Sequence, residues 1–412
     1  MLPFHDDTKG MGWTTTGLTG VLDYKWAGNG ASGGTWRLRA TGPVDFVDSN
    51  SRPEVPPSIW KEDNYVKVVT LNALNFFTTI DGSGLTSGPN GGGPRGADSL
   101  EEFKRQIEKF LVALSLMNAD VYSIQEIENE FLTDQNGDRL VAVEYVINEL
   151  SKKTGERFDY VKPPEGYVGT DAITNALIYN RNRVKVIGVV DVFEDGLADP
   201  KNRAALTASF EPVDSCEDIF GEKYGKGKGR RQRLSERSGK GKGSGDKKEK
   251  CFTISSNHFK SKGSPCDEDL AGSPVDGTGS CNNVRVDFAR ALAEHIEMDN
   301  PTQVRCKVVA ISGDLNSYAS EAPIAMLESF GYRNSFSKSE YTYVFDGQIG
   351  NLDYFMADDL KYVEASEIWH INEDEAGALD YNLDFGKDPA YFDGTSPARY
   401  SDHSPIITWL DI

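Results

Sequence analysis

The spacing of apolar residues changes several times along this chain, and each change predicts a helix or a strand. Residues 66–74 have the continuous apolar character of a buried strand, whereas the apolar positions of residues 99–118 recur at helical spacing. Ser99, followed by two glutamates, suits the start of that helix. We predict further helices over residues 141–153, 284–298 and 322–330. We predict further strands over residues 120–127, 175–179, 184–193, 204–210, 251–256, 307–312, 342–345, 352–356 and 406–410.

The elements predicted after residue 60 are mostly strands, with a few helices between them. This proportion indicates an α/β fold in which two packed mixed β-sheets are flanked by helices. Such a four-layer sandwich differs from a doubly wound sheet, in which strands and helices alternate regularly. We therefore predict one catalytic-type domain over residues 61–412.

The chain before residue 61 has a different character. Residues 13–45 show short polar strands and turns, and residues 48–57 are rich in Pro, Ser and Asn, which indicates a boundary. About sixty residues are too few to bury a good core by themselves. We expect residues 1–60 to be a β-segment with a linker, either the tail of a truncated β-domain or a β-flap on the main body.

Charge adds one further segment to this picture. The 412 residues carry 44 basic and 64 acidic side chains, a net charge of −20, so nucleic acid is repelled unless the basic groups are concentrated. Residues 221–250 concentrate them in a low-complexity insertion rich in Gly, Lys and Arg. Two interpretations stay open, a solvated surface loop or a flexible arm that holds polyanions by counterion release.

The five cysteines bear on the compartment. Cys266 and Cys281 bracket a loop rich in Gly, Ser, Asp and Pro, and Cys216 and Cys251 bracket the basic insertion. A disulfide that closes a flexible loop restricts the unfolded chain most, so we predict these two bonds and an oxidising compartment. Because the count is odd, one cysteine is left over, and five reduced thiols are the alternative.

The chain has no membrane-length apolar stretch of about 20 residues. Its first residues lack the basic and apolar regions of a signal peptide. We expect either a cytosolic protein or a fragment of a longer secreted precursor, and the disulfide prediction favours the secreted one.

Several predicted strands have an acid, an amide or an imidazole at one end: most of these residues end a strand, Asp353 begins or ends one, and Asp402 and His403 precede the last. The residues are Asn72, Glu126, His258, Asp314, Asn316, Asp353, Asp402 and His403. α/β enzymes build their sites at strand ends. One such residue alone is usually an ordinary cap or loop residue, but four acids and two histidines in the same position predict a shared site.

The order of these motifs resembles the endonuclease/exonuclease/phosphatase superfamily, relatives of pancreatic-type deoxyribonuclease, over residues 65–412. The matching motifs are Thr-Leu-Asn72, Gln-Glu126, Asn-His258, Gly-Asp314-Leu-Asn316, Leu-Asp353-Tyr and Ser-Asp402-His403. The segments Asn-His258-Phe-Lys260-Ser-Lys262-Gly, Cys281-Asn-Asn-Val-Arg285 and Trp369-His-Ile-Asn look more narrowly like its bacterial extracellular nucleases. Those nucleases commonly carry an oligonucleotide/oligosaccharide-fold-like β-domain before the catalytic module, and the resemblance implies that residues 13–45 are its tail.

The resemblance implies a metal centre, and the residue types suit one. Glu126, Asn72 and Asp402 offer the oxygen ligands that Mg²⁺ prefers. Mn²⁺ is the alternative ion, and Ca²⁺ is a further one in a structural or accessory role. Asp314 and Asn316 lie two residues apart, so both are expected to face one phosphate or a second metal.

The histidines are expected to handle the protons of phosphodiester hydrolysis. We predict His403 as the general base and Asp353 as the acid that orients it. By analogy with the superfamily, His258 stabilises the transition-state charge or protonates the leaving oxygen. His295 and His370 are expected to be non-catalytic, one within a helix and the other in a packing context beside Trp369.

Three cations are candidates for gripping flanking phosphates, namely Lys260, Lys262 and Arg285. For the two lysines the alternative is an ordinary surface position, and for the arginine it is a structural ion pair. The basic insertion and the chain before Tyr65 are outside the superfamily's shared pattern, so no substrate role is carried over to them.

The sequence therefore predicts a secreted, divalent-metal-dependent endonuclease that hydrolyses DNA, with RNA as a further substrate. Contacts to the phosphate backbone position a protein without reading bases, so we expect little sequence specificity. We expect no membrane association and no obligate protein partner. Two alternatives remain, an enzyme of the same fold acting on phospholipid or inositol phosphate, and a non-enzymatic extracellular DNA-binding module. The complete set of acids argues against the second.

Overall fold

A computed structural model of the chain describes residues 9–26, 34–131, 141–196, 202–213, 249–266, 278–345 and 347–412. Almost all of the basic insertion lies outside the described residues, and so does Cys216. Both interpretations of the insertion therefore stay predictions.

The first large sheet has six strands in the order β17-β18-β5-β6-β8-β7. They are β5 (Val66–Phe76), β6 (Val121–Glu128), β7 (Phe158–Tyr160), β8 (Ile173–Asn180), β17 (Val363–Ile368) and β18 (Ile406–Leu410). The β5–β6 pair is parallel, and the other pairs in this sheet are antiparallel.

The second large sheet has six strands in the order β13-β16-β12-β11-β10-β9. They are β9 (Val184–Phe193), β10 (Ala205–Pro212), β11 (Glu249–His258), β12 (Cys306–Asp314), β13 (Arg333–Asn334) and β16 (Asp353–Ala357). Here the β11–β12 pair is parallel and the rest are antiparallel. Both sheets are thus mixed, as the sequence predicted.

The helices are α1 (Leu100–Met117), α2 (Ala142–Thr154), α3 (Asn282–Glu294) and α4 (Ala322–Ser329). α1 buries Phe103, Ile107, Phe110 and Leu114 in the main core, and its cap Ser99 accepts a hydrogen bond from the Glu102 N–H. α3 continues into a π-helical turn at His295–Asp299, so the helix predicted over residues 284–298 is regular only in its first part.

The two large sheets pack face to face through one apolar core, and a small set of hydroxyl groups crosses it. Ser123 of the first sheet donates a hydrogen bond to the Ser256 hydroxyl of the second at 2.8 Å and accepts one from Ser312 at 2.9 Å. All three side chains are fully buried. These bonds join the sheets directly behind the strand ends that carry the predicted site.

The N-terminal part forms two small ribbons and contacts the main body through several residues. β1 (Thr14–Thr15) pairs with β4 (Phe46–Val47), and β2 (Gly20–Trp26) pairs with β3 (Gly34–Ala40). The Trp369 ring N–H donates to the Pro53 carbonyl at 2.9 Å. Whether residues 13–45 are the tail of a larger β-domain stays a prediction.

Two disulfides are formed among the described residues. Cys266 and Cys281 are bonded, as predicted. The predicted bond between Cys216 and Cys251 is wrong, because Cys251 is bonded to Cys306. These two cysteines start the adjacent parallel strands β11 and β12, with their Cα atoms 4.7 Å apart. Neighbours in a sheet that are 55 residues apart in sequence do not appear as the two ends of a local loop.

None of the helices in the described ranges has both the length and the apolar character needed to cross a membrane. The last short ribbon, β14 (Tyr343–Phe345) with β15 (Gln348–Gly350), lies just before β16 and reaches the predicted site.

Candidate active site

Strand register brings the predicted site residues to one edge of the sandwich. His258 ends β11 directly beside Asp314, which ends β12, and Asp314 lies opposite Asp353 at the start of β16. In the other sheet, Asn72 of β5 pairs with the residue before Glu126 on β6. The predicted site residues of the two sheets therefore meet at one edge, where the parallel pairs β5–β6 and β11–β12 have their carboxyl ends.

The backbone around Glu126 is irregular. Glu126 has a positive φ of 62°, and Leu74 and Asn75 both have a φ of 51° on the adjacent strand. The register of β5 against β6 shifts across the same stretch. Positive φ is strained for residues other than glycine and clusters at functional sites. Here it brings the Asn75 N–H to 3.0 Å from Glu126 Oε2, where it donates a hydrogen bond.

Glu126, His258 and Asp314 form a group suited to a divalent ion. One ligand atom from each lies within 4.8 Å of the others. His258 Nε2 is 3.7 Å from Glu126 Oε1 and 3.5 Å from Asp314 Oδ2. Asp314, Asp353 and His403 form a second such group, so Asp314 is common to both.

Two predicted metal ligands, Asn72 and Asp402, lie beside this group. Asn72 Oδ1 accepts a hydrogen bond from the Leu74 N–H at 2.8 Å, and its Nδ2 faces Asp314 Oδ2 at 3.5 Å. Asp402 lies at the rim with about a third of its side chain exposed, and its Oδ1 is 3.9 Å from His403 Nε2. Their roles as metal ligands stay predictions.

Asn316 is a positioning residue. Its backbone N–H donates to Asp314 Oδ1 at 2.8 Å, and its side-chain Nδ2 donates to the Phe259 carbonyl at 3.1 Å. The two residues thus contact each other, and whether both face one phosphate or a second metal stays a prediction.

His403 and Asp353 form the predicted pair. His403 Nδ1 lies 2.7 Å from Asp353 Oδ2, and the same oxygen accepts a hydrogen bond from the Thr342 hydroxyl at 2.7 Å. The Tyr343 ring packs on the imidazole with 4.5 Å between ring centroids. The other ring nitrogen of His403, Nε2, is 4.0 Å from Asp314 Oδ2. The imidazole is thus fixed with Nε2 toward the Glu126–His258–Asp314 group.

The pKa values of the two site histidines, His258 and His403, are shifted in opposite directions. Burial, followed by the nearby positive charge of Arg203, holds the pKa of His258 well below its usual range. Burial also lowers the pKa of His403, but the Asp353 and Asp402 carboxylates outweigh it and raise that pKa well above its usual range. Divergent values in one site assign different proton roles to the two groups.

The carboxyl groups are shifted as well. Burial is the largest cause of the raised pKa of Asp314, which reaches about 7, with Asp353 adding to it. Burial and the Asp402 charge raise the pKa of Glu126. At neutral pH Asp314 therefore holds a proton part of the time, and a bound cation would compete with that proton.

No family model and no curated protein matches this sequence. Among solved structures, it is similar to an endonuclease/exonuclease/phosphatase from Bacteroides vulgatus, with 12% identity, a TM-score of 0.46, and 84% of this chain and 99% of that one covered. It is also similar to D. rerio TDP2 complexed with single strand DNA product, with 13% identity, a TM-score of 0.43, and 84% of this chain and 99% of that one covered. A Bacteroides thetaiotaomicron mannosyl-6-phosphatase is similar too, with 12% identity, a TM-score of 0.44, and 83% of this chain and 98% of that one covered. The first bears the name of the superfamily that the motifs resemble.

Arg203 is a site residue that the sequence analysis missed. Its Nη1 lies 3.5 Å from His258 Nε2, and its Nε pairs with Asp171 Oδ2 at 3.0 Å. Arg95 pairs with the other oxygen of Asp171 at 3.1 Å. Arg203 lies just before a buried strand, β10, but the predicted site residues at strand ends were acids, amides and imidazoles, and an arginine is none of these.

The three predicted phosphate-binding cations differ in burial and in their contacts. Arg285 is fully buried and donates to the carbonyls of Ser280 at 2.7 Å and Lys260 at 3.1 Å, and its role in substrate binding stays a prediction. Lys262 is ion-paired with Glu321 at 2.6 Å, which ties its charge to the protein. Lys260 is half-buried, and its ammonium donates to the Ser264 hydroxyl at 2.6 Å. Lys260 and Lys262 as substrate contacts stay predictions.

Proposed function

We propose that this chain is a divalent-metal-dependent phosphodiester hydrolase that acts as a nuclease on DNA, with RNA as a further substrate. The observation that carries the proposal is the joint placement of the Asp353–His403 pair and the Glu126–His258–Asp314 group around one point. Each half alone has ordinary structural explanations. Together they supply a base, a hydrogen-bond donor and a cation site at one edge of the sandwich.

The residues fit a divalent cation. Glu126 and Asp314 contribute hard oxygen donors, with one oxygen of each within 4.8 Å of the other. Asp314 Oδ1 is held by the Asn316 N–H and Glu126 Oε2 by the Asn75 N–H, so each carboxylate has one oxygen anchored. Anchored ligands of this kind are typical of metal sites. When bound, the ion neutralises charge on the phosphoryl oxygens and offsets the carboxylates around His403.

His403 accepts the proton of the attacking water in this proposal. Its Nδ1 is held by Asp353, so Nε2 is the nitrogen that faces the reaction. Asp353 in turn stabilises the imidazolium that forms when Nε2 takes the proton. The Thr342 hydroxyl and the Tyr343 ring keep this pair from rotating.

His258 and Arg203 act on the phosphoryl group. A neutral His258 keeps one ring N–H, which can donate a hydrogen bond to a phosphoryl oxygen, and Arg203 adds a fixed positive charge 3.5 Å away. Charge that develops on those oxygens is stabilised most by donors already in place. Of the two roles expected for His258, its lowered pKa favours stabilising the transition state over protonating the leaving oxygen.

The nuclease assignment is supported by the chemistry around the site rather than by a bound substrate. The Arg203–Asp171–Arg95 chain holds two guanidinium groups near His258, and in this proposal they contact the next phosphate of a polymer. The predicted secretion of the protein is supported by the two disulfides.

The test is hydrolysis of plasmid DNA with Mg²⁺ or Mn²⁺, in parallel with bis-(p-nitrophenyl) phosphate and p-nitrophenyl phosphate. We expect cleavage of plasmid and diester, arrest by chelator, and a fall of roughly 10²–10⁴-fold in His403→Ala and His258→Ala. His295→Gln is the matched control, because His295 also contacts two carboxylates but lies on α3's continuation, away from the site. Full activity in both site variants refutes the mechanism. Cleavage of the monoester alone refutes the nuclease.

A further inference from the structure

A second group of potential ligands lies outside the site described above. His370, Glu373 and Asp374 each offer a ligand atom within 4.8 Å of the other two. The side chains of Glu373 and Asp374 are 0% and 1% exposed, whereas that of His370 is 23% exposed and opens the group to solvent. None of the three belongs to the Glu126–His258–Asp314 group or the Asp314–Asp353–His403 group.

In each of the two carboxylates, residues outside the group hold only one of the two oxygens. Glu373 Oε2 accepts a hydrogen bond from the Ser404 hydroxyl, while its Oε1 contacts His370 Nδ1. Asp374 Oδ2 accepts from the Tyr341 hydroxyl at 2.6 Å and pairs with Arg52 at 2.7 Å. Asp374 Oδ1 is buried and accepts no hydrogen bond. A buried carboxylate oxygen without a donor requires an explanation, and a bound cation is one that supplies the missing charge.

We propose that His370, Glu373 and Asp374 form a second cation site that takes a divalent transition-type ion, with Zn²⁺ as the best match. One imidazole and two carboxylates suit Zn²⁺, whereas Mg²⁺ and Ca²⁺ favour oxygen-only sets. Ser404, Tyr341 and Arg52 serve as the outer contacts that hold the ligands in place. The exposed edge of His370 gives the ion its entry path.

The proposed site lies between the N-terminal segment and the loop that carries His403. The Asp374 carbonyl accepts from the Met11 N–H at 2.7 Å, so the same residue holds the N-terminal segment. On the other side, the Asn372 side chain donates to the His403 carbonyl at 2.7 Å, and Ser404 follows His403 directly. A bound ion therefore fastens the N-terminal segment to the loop that carries the catalytic base.

The experiment uses the full chain carrying Asp314→Asn, which removes the ligand common to both groups at the active site. After equilibration with Zn²⁺ and gel filtration, we expect one zinc per chain by elemental analysis and a thermal midpoint that rises with zinc. Adding His370→Gln or Asp374→Asn removes the bound zinc and the rise. Adding His295→Gln instead leaves both intact, since His295 contacts two carboxylates without forming such a group.

Two outcomes overturn the proposal. One is an Asp314→Asn protein that holds no zinc and has the same thermal midpoint with zinc and with chelator, which leaves His370 and Glu373 as an ion pair only. The other is zinc retained undiminished in the His370→Gln and Asp374→Asn proteins. If either variant fails to fold, the folded Asp314→Asn protein is loaded with Co²⁺. A visible absorption band that Zn²⁺ displaces supports the site, and no band rejects it.

Discussion

Asp353 Oδ2 lies 2.7 Å from His403 Nδ1 and accepts a second hydrogen bond from Thr342, so this carboxylate fixes which nitrogen of the imidazole faces the site. The two residues are 50 positions apart in sequence and come from different sheets. The pair therefore depends on how the sheets pack, and the proton chemistry depends on the pair.

The first prediction concerns this pair. Asp353 raises the pKa of His403, so Asp353→Asn lowers it. Because the base must be neutral, the rising limb of the pH profile of kcat/KM moves to lower pH, while its plateau falls by roughly 10²–10⁴-fold. Asp299→Asn, at an exposed position beside His295, is the control and changes neither. A limb that stays in place contradicts the assignment of His403 as the base.

The second prediction concerns metal affinity and pH. Asp314 has a pKa raised to about 7, so below that pH a cation must displace its proton. We expect the apparent Mg²⁺ or Mn²⁺ affinity to fall by up to about tenfold per pH unit below 7 and to level off above it. Calorimetric titration between pH 5.5 and 8 measures this. In Asp314→Asn the affinity is weaker and its dependence on pH is lost. A flat profile in the parent protein rules out Asp314 as a ligand.

The third prediction concerns Arg203. Its removal in Arg203→Met takes away a charged donor beside His258, and the loss of such a hydrogen bond, about 1.5–3 kcal/mol, corresponds to roughly 10–150-fold in kcat/KM. Arg290→Met is the control, because Arg290 pairs only with Asp287 on the surface of α3 among the described contacts. Equal rates in the two variants mean that Arg203 only pairs with Asp171 and does not assist the reaction.

The fourth prediction separates structure from substrate binding at Arg285. Its buried guanidinium donates to backbone carbonyls of the loop after β11, so Arg285→Ala leaves those carbonyls without donors. We expect the free energy of unfolding to fall by about 3 kcal/mol, with KM for a short oligonucleotide unchanged at a temperature where the variant is folded. Urea denaturation and initial rates measure the two quantities. A raised KM with unchanged stability supports the substrate role.

The fifth prediction concerns the disulfides. Five cysteines with two bonds leave one thiol, so denatured, unreduced protein should titrate one thiol per chain. The Cys251–Cys306 bond closes a 55-residue loop, and its loss in Cys306→Ser should cost about 4 kcal/mol by the chain-entropy relation. Cys216→Ser should leave stability unchanged and remove the remaining thiol. Three thiols per chain, or a destabilised Cys216→Ser, contradicts this pairing.

Much of the site was accessible from sequence because strand ends converge in a sheet. Glu126, His258, Asp314, Asp353 and His403 were all found by that rule, and the structure brings them together. The rule gives no side-chain orientation, so it did not show that the Asn72 amide accepts from the Leu74 N–H and faces Asp314. Orientation depends on the local bulge, and no spacing in the sequence reports it.

Other differences between the sequence and the structure have a different physical origin. Arg285 was a candidate for phosphate binding because it opens a helix, yet its side chain is fully buried and donates to the carbonyls of Ser280 and Lys260. The partner of Cys251 was missed because parallel neighbours are brought together by sheet order rather than by chain proximity. Burial and strand order are properties of the whole chain, so local patterns leave them undetermined.

The hydroxyl contacts of Ser123 with Ser256 and Ser312 couple the two halves of the molecule just beneath Glu126, His258 and Asp314. Neither sheet holds the whole proposed site, since Glu126 lies on one, His258, Asp314 and Asp353 lie on the other, and His403 lies in the loop that leads into β18. The proposed activity is therefore expected to require both sheets. A chain caught midway through folding, with one sheet formed and the other not, would carry an incomplete set of charges and no hydrolytic activity.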